Sequence, residues 1–275
     1  MSAAGGASAT SDAAVLQGFA LPNVSVNDRA ALAFASERLV AECMSRKGFR
    51  FVAIDIATAS AMAEARQDED RADRPLDDVI EPTGYLPLPV APARVFDNDA
   101  YANSLDDATR IAWSRAALGE FDDAVTVNLP DGSQVSIPKT GCLTEARVAL
   151  FGSAENAIMF EMGVASISVT AVTSANADPD VVTARAEWAR CMSASGWAFE
   201  HFTQARQYAY QHPDEAMSVW TADRSCTRSS RLREVFGRAW QRSMEGLVDA
   251  NLGVIEEYRL TIGQAIGRAT ELLAS

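Results

Sequence analysis

The chain has 275 residues, 48% of them hydrophobic and 22% charged, a globular balance with ample material for a buried core. Asp and Glu total 37 against 24 Lys and Arg, and the resulting formal charge of -13 argues against nucleic acid as a partner. No uninterrupted apolar run reaches the roughly 20 residues that cross a bilayer, so membrane attachment is expected only through a lipid tether.

Residues 1–24 read as an N-terminal tether. The stretch MSAAGGASATSDAA has neither the basic start nor the apolar centre of a signal peptide. Its small polar residues suit the spacer behind a removed signal or a lipid-modified cysteine, with a disordered N-terminus as the competing reading.

A first helical half is expected over 25–155. Its opening helix runs from Asn27 to Lys47, with Ala31, Leu32, Ala35, Leu39 and Cys43 at helical spacing and Gly48 as terminator. About 50 residues follow with a charged run, Arg66–Arg74, and the prolines Pro82, Pro87, Pro89 and Pro92. These predict a long surface excursion without continuous helix or sheet. Ser104 and Asp107 look like a capping box for a helix through Ile111, Trp113 and Leu118 to Gly119. One small β-hairpin is predicted near 124–137, where alternating valines and Ile137 flank the turn Pro130-Asp131-Gly132. A helix over 143–151 then stops at Gly152.

The second half is expected over 156–275 and packs either with the first or as a unit of its own. Ile158, Met162, Ala165, Val169 and Val172 predict one buried stripe on a helix over 154–173, although Ser166–Thr170 also alternates like a strand. Asp178-Pro179 opens a helix carrying Val182, Ala186, Ala189 and Met192 and ending at Gly196. A short helical piece at 203–211 ends before His212-Pro213. Beyond it, a heptad-like stripe from Leu232 through Phe236, Ala239, Tyr258 and Ile262 to Leu272 predicts one or two long terminal helices packed on 154–173. Gly246, Gly253 and Gly267 share one heptad position. They suit close approach by another helix, or else merely weaken this one.

Two segments repeat. Cys43-Met44-Ser45 followed by Gly48-Phe49 and Phe51 matches Cys191-Met192-Ser193 followed by Gly196-Trp197 and Phe199 without a gap. A weaker echo pairs Gly141-Cys142 with Ser225-Cys226, each followed five residues later by Arg. The duplication favours bridges Cys43–Cys142 and Cys191–Cys226, one per half. Four free thiols and a four-cysteine zinc site are the alternatives, the latter disfavoured by the lack of any close CxxC pair. Disulfides imply an extracytoplasmic location.

Glu42-Cys43-Met44 with Gly48-Phe49, the tract Tyr101–Leu105, Gly141–Ala146, Trp188–Met192 with Gly196, and Asp223–Cys226 follow one another in order across residues 36–240. In that order they resemble a group of secreted proteins or lipoproteins of actinobacterial type. The resemblance implies an envelope location and carries no activity with it.

Catalytic motifs are not evident in the sequence. Neither HExxH, P-loop, GxSxG nor a strand-borne GxGxxG occurs, and His201 and His212 read as polar loop residues. The acidic pairs Asp77-Asp78, Asp106-Asp107, Asp122-Asp123 and Glu256-Glu257 read as solvated surface. Asp97, Asn98 and Asp99 lack the rest of a calcium loop. Arg224, Arg228, Arg231, Arg238 and Arg242, at intervals of four, three, seven and four, suggest an anion-binding stripe, with pairing to neighbouring acids as the plainer account. Trp188, Trp197, Trp220 and Trp240 suit a ligand groove or the core. The expectation is a mainly α, disulfide-linked pair of helical halves ending in a long helical hairpin. Its function would be non-catalytic binding or structure outside the cytoplasm, with an envelope protein or cell-wall component as partner and no cofactor or metal. An envelope hydrolase with a hidden carboxylate pair is the alternative.

Overall fold

A computed structural model describes residues 24–69, 74–77, 81–85 and 96–274. The tether lies outside this set, except for Val24, which is buried; Pro87, Pro89, Pro92 and most of Arg66–Arg74 also lie outside it. The protein is mainly helical, with eleven helices and one two-stranded antiparallel sheet among the described residues.

Helix α1 (Val26–Arg46) is capped by Ser25, whose hydroxyl accepts from the Asp28 N–H. It buries Ala31, Leu32, Ala35 and Cys43, the face its spacing predicts. Helix α2 (Ile56–Glu69) occupies the segment expected to be irregular. Its buried face is alanine: Ala59 and Ala63 sit against Ala30 of α1, and Asp55 accepts from the Thr58 N–H at its start. Residues that small produce no hydrophobic stripe, yet they let two helices come close and favour helix strongly.

Ser104 does not start the next helix. It closes α3 (Asn98–Asn103), and Asp106 caps α4 (Asp107–Leu118) by accepting from the Thr109 N–H. On α4 only Trp113 and Ala117 are buried, while Ile111 and Leu118 face outward. Strands β1 (Ala124–Asn128) and β2 (Gln134–Pro138) pair Val125 with Ile137 and Val127 with Val135. Gly132, with φ of 84°, donates to the Leu129 carbonyl in the turn. Helix α5 (Cys142–Phe151) ends at the left-handed Gly152.

Helix α6 (Ala154–Ala177) contains a π-helical turn at Met159–Gly163. The extra residue rotates the C-terminal part of the helix by about 100° relative to its first turn. Ile158 therefore faces the hairpin, whereas Ile167, Ala171 and Ala175 face the core of the second half. The evenly spaced stripe expected here is thus displaced, and Val169 is 62% exposed. By length and composition α6 is apolar enough to cross a membrane, and its face bearing Ile167, Ala171 and Ala175 is buried in the core of the second half.

Asp178 caps α7 (Pro179–Ala194), which buries Val181, Ala184, Trp188 and Met192. The expected stripe is displaced by one residue at its start, and Val182 is exposed. Helices α8 (Phe202–Gln211), α9 (Ala216–Ser229), α10 (Leu232–Ala250) and α11 (Leu252–Ala274) complete the chain. Helix α10 packs on α6 and α7, as expected for a terminal helix. Helix α11 instead crosses to α1 and α5, where Tyr258, Ile262, Ala265 and Ala269 meet Leu32 and Leu150. A division of the chain at 155 consequently falls inside α6, and the last helix belongs to the core of the first half.

The repeated motif folds the same way twice. The Phe49 N–H donates to the Met44 carbonyl at 2.9 Å, and the Trp197 N–H to the Met192 carbonyl at 2.9 Å. Gly48 and Gly196 hold φ of 81° and 92° in the left-handed helix stop. Both methionines are fully buried.

A Cβ at Gly196 or at Gly246 would meet nothing within 4 Å. The two nevertheless differ in backbone, since Gly246 lies inside α10. Gly196→Ala is expected to destabilise by about 1 kcal/mol and Gly246→Ala to stabilise by about 1 kcal/mol, read from urea midpoints. Equal shifts in one direction would contradict the backbone account. The same open space at Gly246, Gly253 and Gly267 means that no described helix approaches them.

Candidate ligand-binding groove

The sulfurs are joined as Cys43–Cys142 and Cys191–Cys226, with Cα atoms 5.5 Å apart in each bridge. The first bridge ties the end of α1 to the first residue of α5, inside a cluster with Val40, Met44 and Trp113. Cys226, by contrast, lies near the end of α9, so the weak echo between Cys142 and Cys226 is not structural. The Glu145 carboxylate sits 3.2 Å from Cys43 Sγ, but bridged sulfur offers no thiolate to a metal, and Glu145 is held by Arg46 and Lys47.

The arginine stripe does not form one face. Arg231, with φ of 54°, separates α9 from α10, so Arg224 and Arg228 belong to one helix and Arg238 and Arg242 to another. Arg231 and Arg238 share Glu234, Arg242 binds Asp178 at 2.8 Å, and Arg224 lies 5.1 Å from the centroid of the Trp220 ring. The plainer account, pairing with acids, describes Arg231, Arg238 and Arg242.

His201 is the N-cap of α8. Its Nδ1 accepts from the Thr203 N–H, while the Gln204 side chain accepts from the His201 N–H. No glycine, serine or aspartate marks that helix start, so the cap was hidden in sequence. Trp188 and Trp240 belong to one hydrophobic core, and Trp197 packs against it. Trp188, Trp220 and Trp240 are buried in the second half, and Trp197 stacks beside Phe199 and Tyr208.

A buried polar cluster carries no signal in the sequence. Asp223 is 1% exposed and accepts from Tyr85 Oη at 2.6 Å, Trp188 Nε1 at 2.8 Å and Thr227 Oγ1 at 2.9 Å. Beside it Arg206 and Glu81, 6% and 4% exposed, pair at 2.9 Å, and Trp220 Nε1 donates to the Glu81 carbonyl. Asp77, one of the acids expected at the surface, is buried against Arg233. Burial pushes the Asp223 carboxyl above its ordinary range, against the pull of its three donors and Arg206. These groups fasten residues 74–77 and 81–85 to α8, α9 and α10.

An open groove of about 410 Å³ lies on the other half. The hairpin supplies Val127, Asn128 and Leu129, the start of α6 supplies Glu155, Asn156 and Met159, and the α10–α11 junction supplies Asn251, Val254, Glu257 and Tyr258. Its size is that of a small-ligand site. The hairpin turn, the break at Asn251 and the onset of the π turn converge here, so three local irregularities build one concavity. Tyr258 is 7% exposed and its hydroxyl has no hydrogen-bond partner among the described residues. Burial pushes that phenol up to about 12, with Arg29 opposing.

No protein-family model matches the chain, and neither the curated proteins nor the solved structures contain a match. The purpose of this groove is therefore argued from its own chemistry.

Proposed function

We propose that the chain is a non-catalytic binding protein of the cell envelope or the extracellular space, akin to the secreted proteins and lipoproteins its motif order resembles. The carrying observation is the pair of disulfides set into the hydrophobic clusters of both halves. Such bridges persist where thiols are not kept reduced. The groove between hairpin and α11 supports a binding role, and an envelope partner or wall component is the expected source of its ligand.

Thiol titration in denaturant without reductant is expected to find no free thiol, and four after reduction. Four before reduction would overturn the extracytoplasmic reading and favour a cytoplasmic scaffold.

One observation favours a second reading, that of a hydrolase: Glu155 and Glu257 line the same groove. Both carboxylates are exposed, however, whereas a general acid is usually held protonated by apolar enclosure. Binding suits them better than proton transfer.

A further inference from the structure

The groove holds two carboxylates and several oxygen acceptors left without a donor among the described residues. Asn156 Nδ2 donates to the Phe151 carbonyl and Asn251 Nδ2 to the Leu247 carbonyl, which leaves both Oδ1 atoms without a donor among the described residues. Glu155 and Glu257 have no ion pair among the described residues. The hydroxyls of Tyr258 and Thr261 add two groups that can accept. The side-chain amide donors there are Asn128 Nδ2, whose Oδ1 accepts from Gln134, and the second N–H of Asn156 and of Asn251. Among the described residues, no Lys, Arg or His lines the groove. Val127, Leu129, Met159 and Val254 provide an apolar wall beside the carboxylates.

We propose that this groove binds an alkylammonium group, the cationic nitrogen meeting Glu155, Glu257 and the two asparagine oxygens while its methylene chain lies along the apolar wall. A donor-rich cation satisfies acceptors that an anion or a neutral acceptor would leave unmatched. A bare metal ion fits less well, because it fills little of 410 Å³ and leaves the apolar wall uncovered. The Tyr258 hydroxyl, unpartnered among the described residues and lining the groove, gives the ammonium one more oxygen to meet. The inference rests on the binding role proposed above and names the chemistry of its ligand, which comes either from a free diamine or from a lysine side chain.

The test is calorimetric titration of the oxidised, full chain with 1,5-diaminopentane and with Nα-acetyl-lysine methylamide, using 1-pentanol as the uncharged control. Binding of the diamine, absent with pentanol and weakened by salt, is expected. The double substitution Glu155→Gln/Glu257→Gln should weaken it about tenfold or more, with an unchanged circular dichroism spectrum. Tyr258→Phe should weaken it by a smaller factor. If the lysine derivative binds as well, the source is a partner's side chain; if only the diamine binds, it is a free polyamine. No heat with either amine, equal affinity in the double variant, or a stronger response to calcium would overturn the proposal. With no free thiols, any of those results leaves the binding-protein reading standing without its ligand. Amine binding alongside four free thiols would remove the compartment alone.

Discussion

Cys43→Ala/Cys142→Ala is expected to lower the folding free energy by about 4 to 5 kcal/mol, the larger loss of the two bridges. The bridge closes a loop with a sequence separation of 99, whereas Cys191–Cys226 closes one of 35. In the chain-entropy account the difference between the two is about 1 kcal/mol, because the closure cost grows only with the logarithm of length. Both bridges lie among buried neighbours, so removing either also loses comparable packing. The measurement is urea unfolding of each double variant beside the parent. Should the short-loop variant prove the weaker of the two, native packing around Cys226 and not loop closure would be setting the order. A reduced parent as stable as the oxidised one would remove the covalent frame from the explanation of this fold altogether.

The second large effect is expected at Asp223. Alanine there orphans three donors at once, Tyr85 Oη, Trp188 Nε1 and Thr227 Oγ1, the last two in bonds that are fully buried. Stranded buried donors and the neighbouring Arg206 make a loss of roughly 3 to 5 kcal/mol the expected result. Asparagine retains an oxygen for Trp188 and Thr227 and turns an N–H toward the tyrosine oxygen, so Asp223→Asn should cost far less. The pair also separates charge from hydrogen bonding. The folded protein holds the Asp223 proton more tightly than the unfolded chain, since burial raises that carboxyl. Its contribution is therefore fully present below the unfolded carboxylate value, about 3.9, and declines as pH rises through the higher folded value. The stability advantage of the parent over Asp223→Asn should shrink from acid toward neutral pH. A difference that stays flat with pH would show that this carboxyl does not titrate differently on folding.

The helix starts and stops were the most legible features of the sequence. Gly48, Gly152, Gly196 and Asp178-Pro179 act locally, through backbone conformation and short hydrogen bonds that a few residues encode. The hairpin was legible for the same reason, since alternation and the Pro130-Asp131-Gly132 turn lie within fifteen residues. Periodicity misled wherever the helix was not uniform. One extra residue in the π turn of α6 shifts the inward face, and no single residue type announces it. Helix α2 escaped because alanine on alanine is packing without a large side chain to count. The charged run Arg66–Arg74 suggested an irregular segment, yet it begins inside that helix.

The candidate site was harder to read than the fold. Glu257 appeared only as half of an acidic pair, and Asn156 and Asn251 carried no motif at all. They meet because three separate segments turn at one place, which is a property of tertiary structure. The buried cluster around Asp223 was equally silent, as Tyr85 and Asp223 are 138 positions apart. The arginines gave the opposite lesson. Regular spacing in sequence suggested a shared face, and one left-handed residue, Arg231, divides it.

The return of α11 to α1 and α5 has a bearing on synthesis. Leu32 and Leu150 find their cover in residues of the last helix, among them Ala265 and Ala269. A chain emerging N-terminus first thus cannot seal its opening half until nearly the whole polypeptide is available, even with the first sulfur bridge already closed. Closure of that core therefore waits on contacts between residues far apart in sequence, a late event in folding.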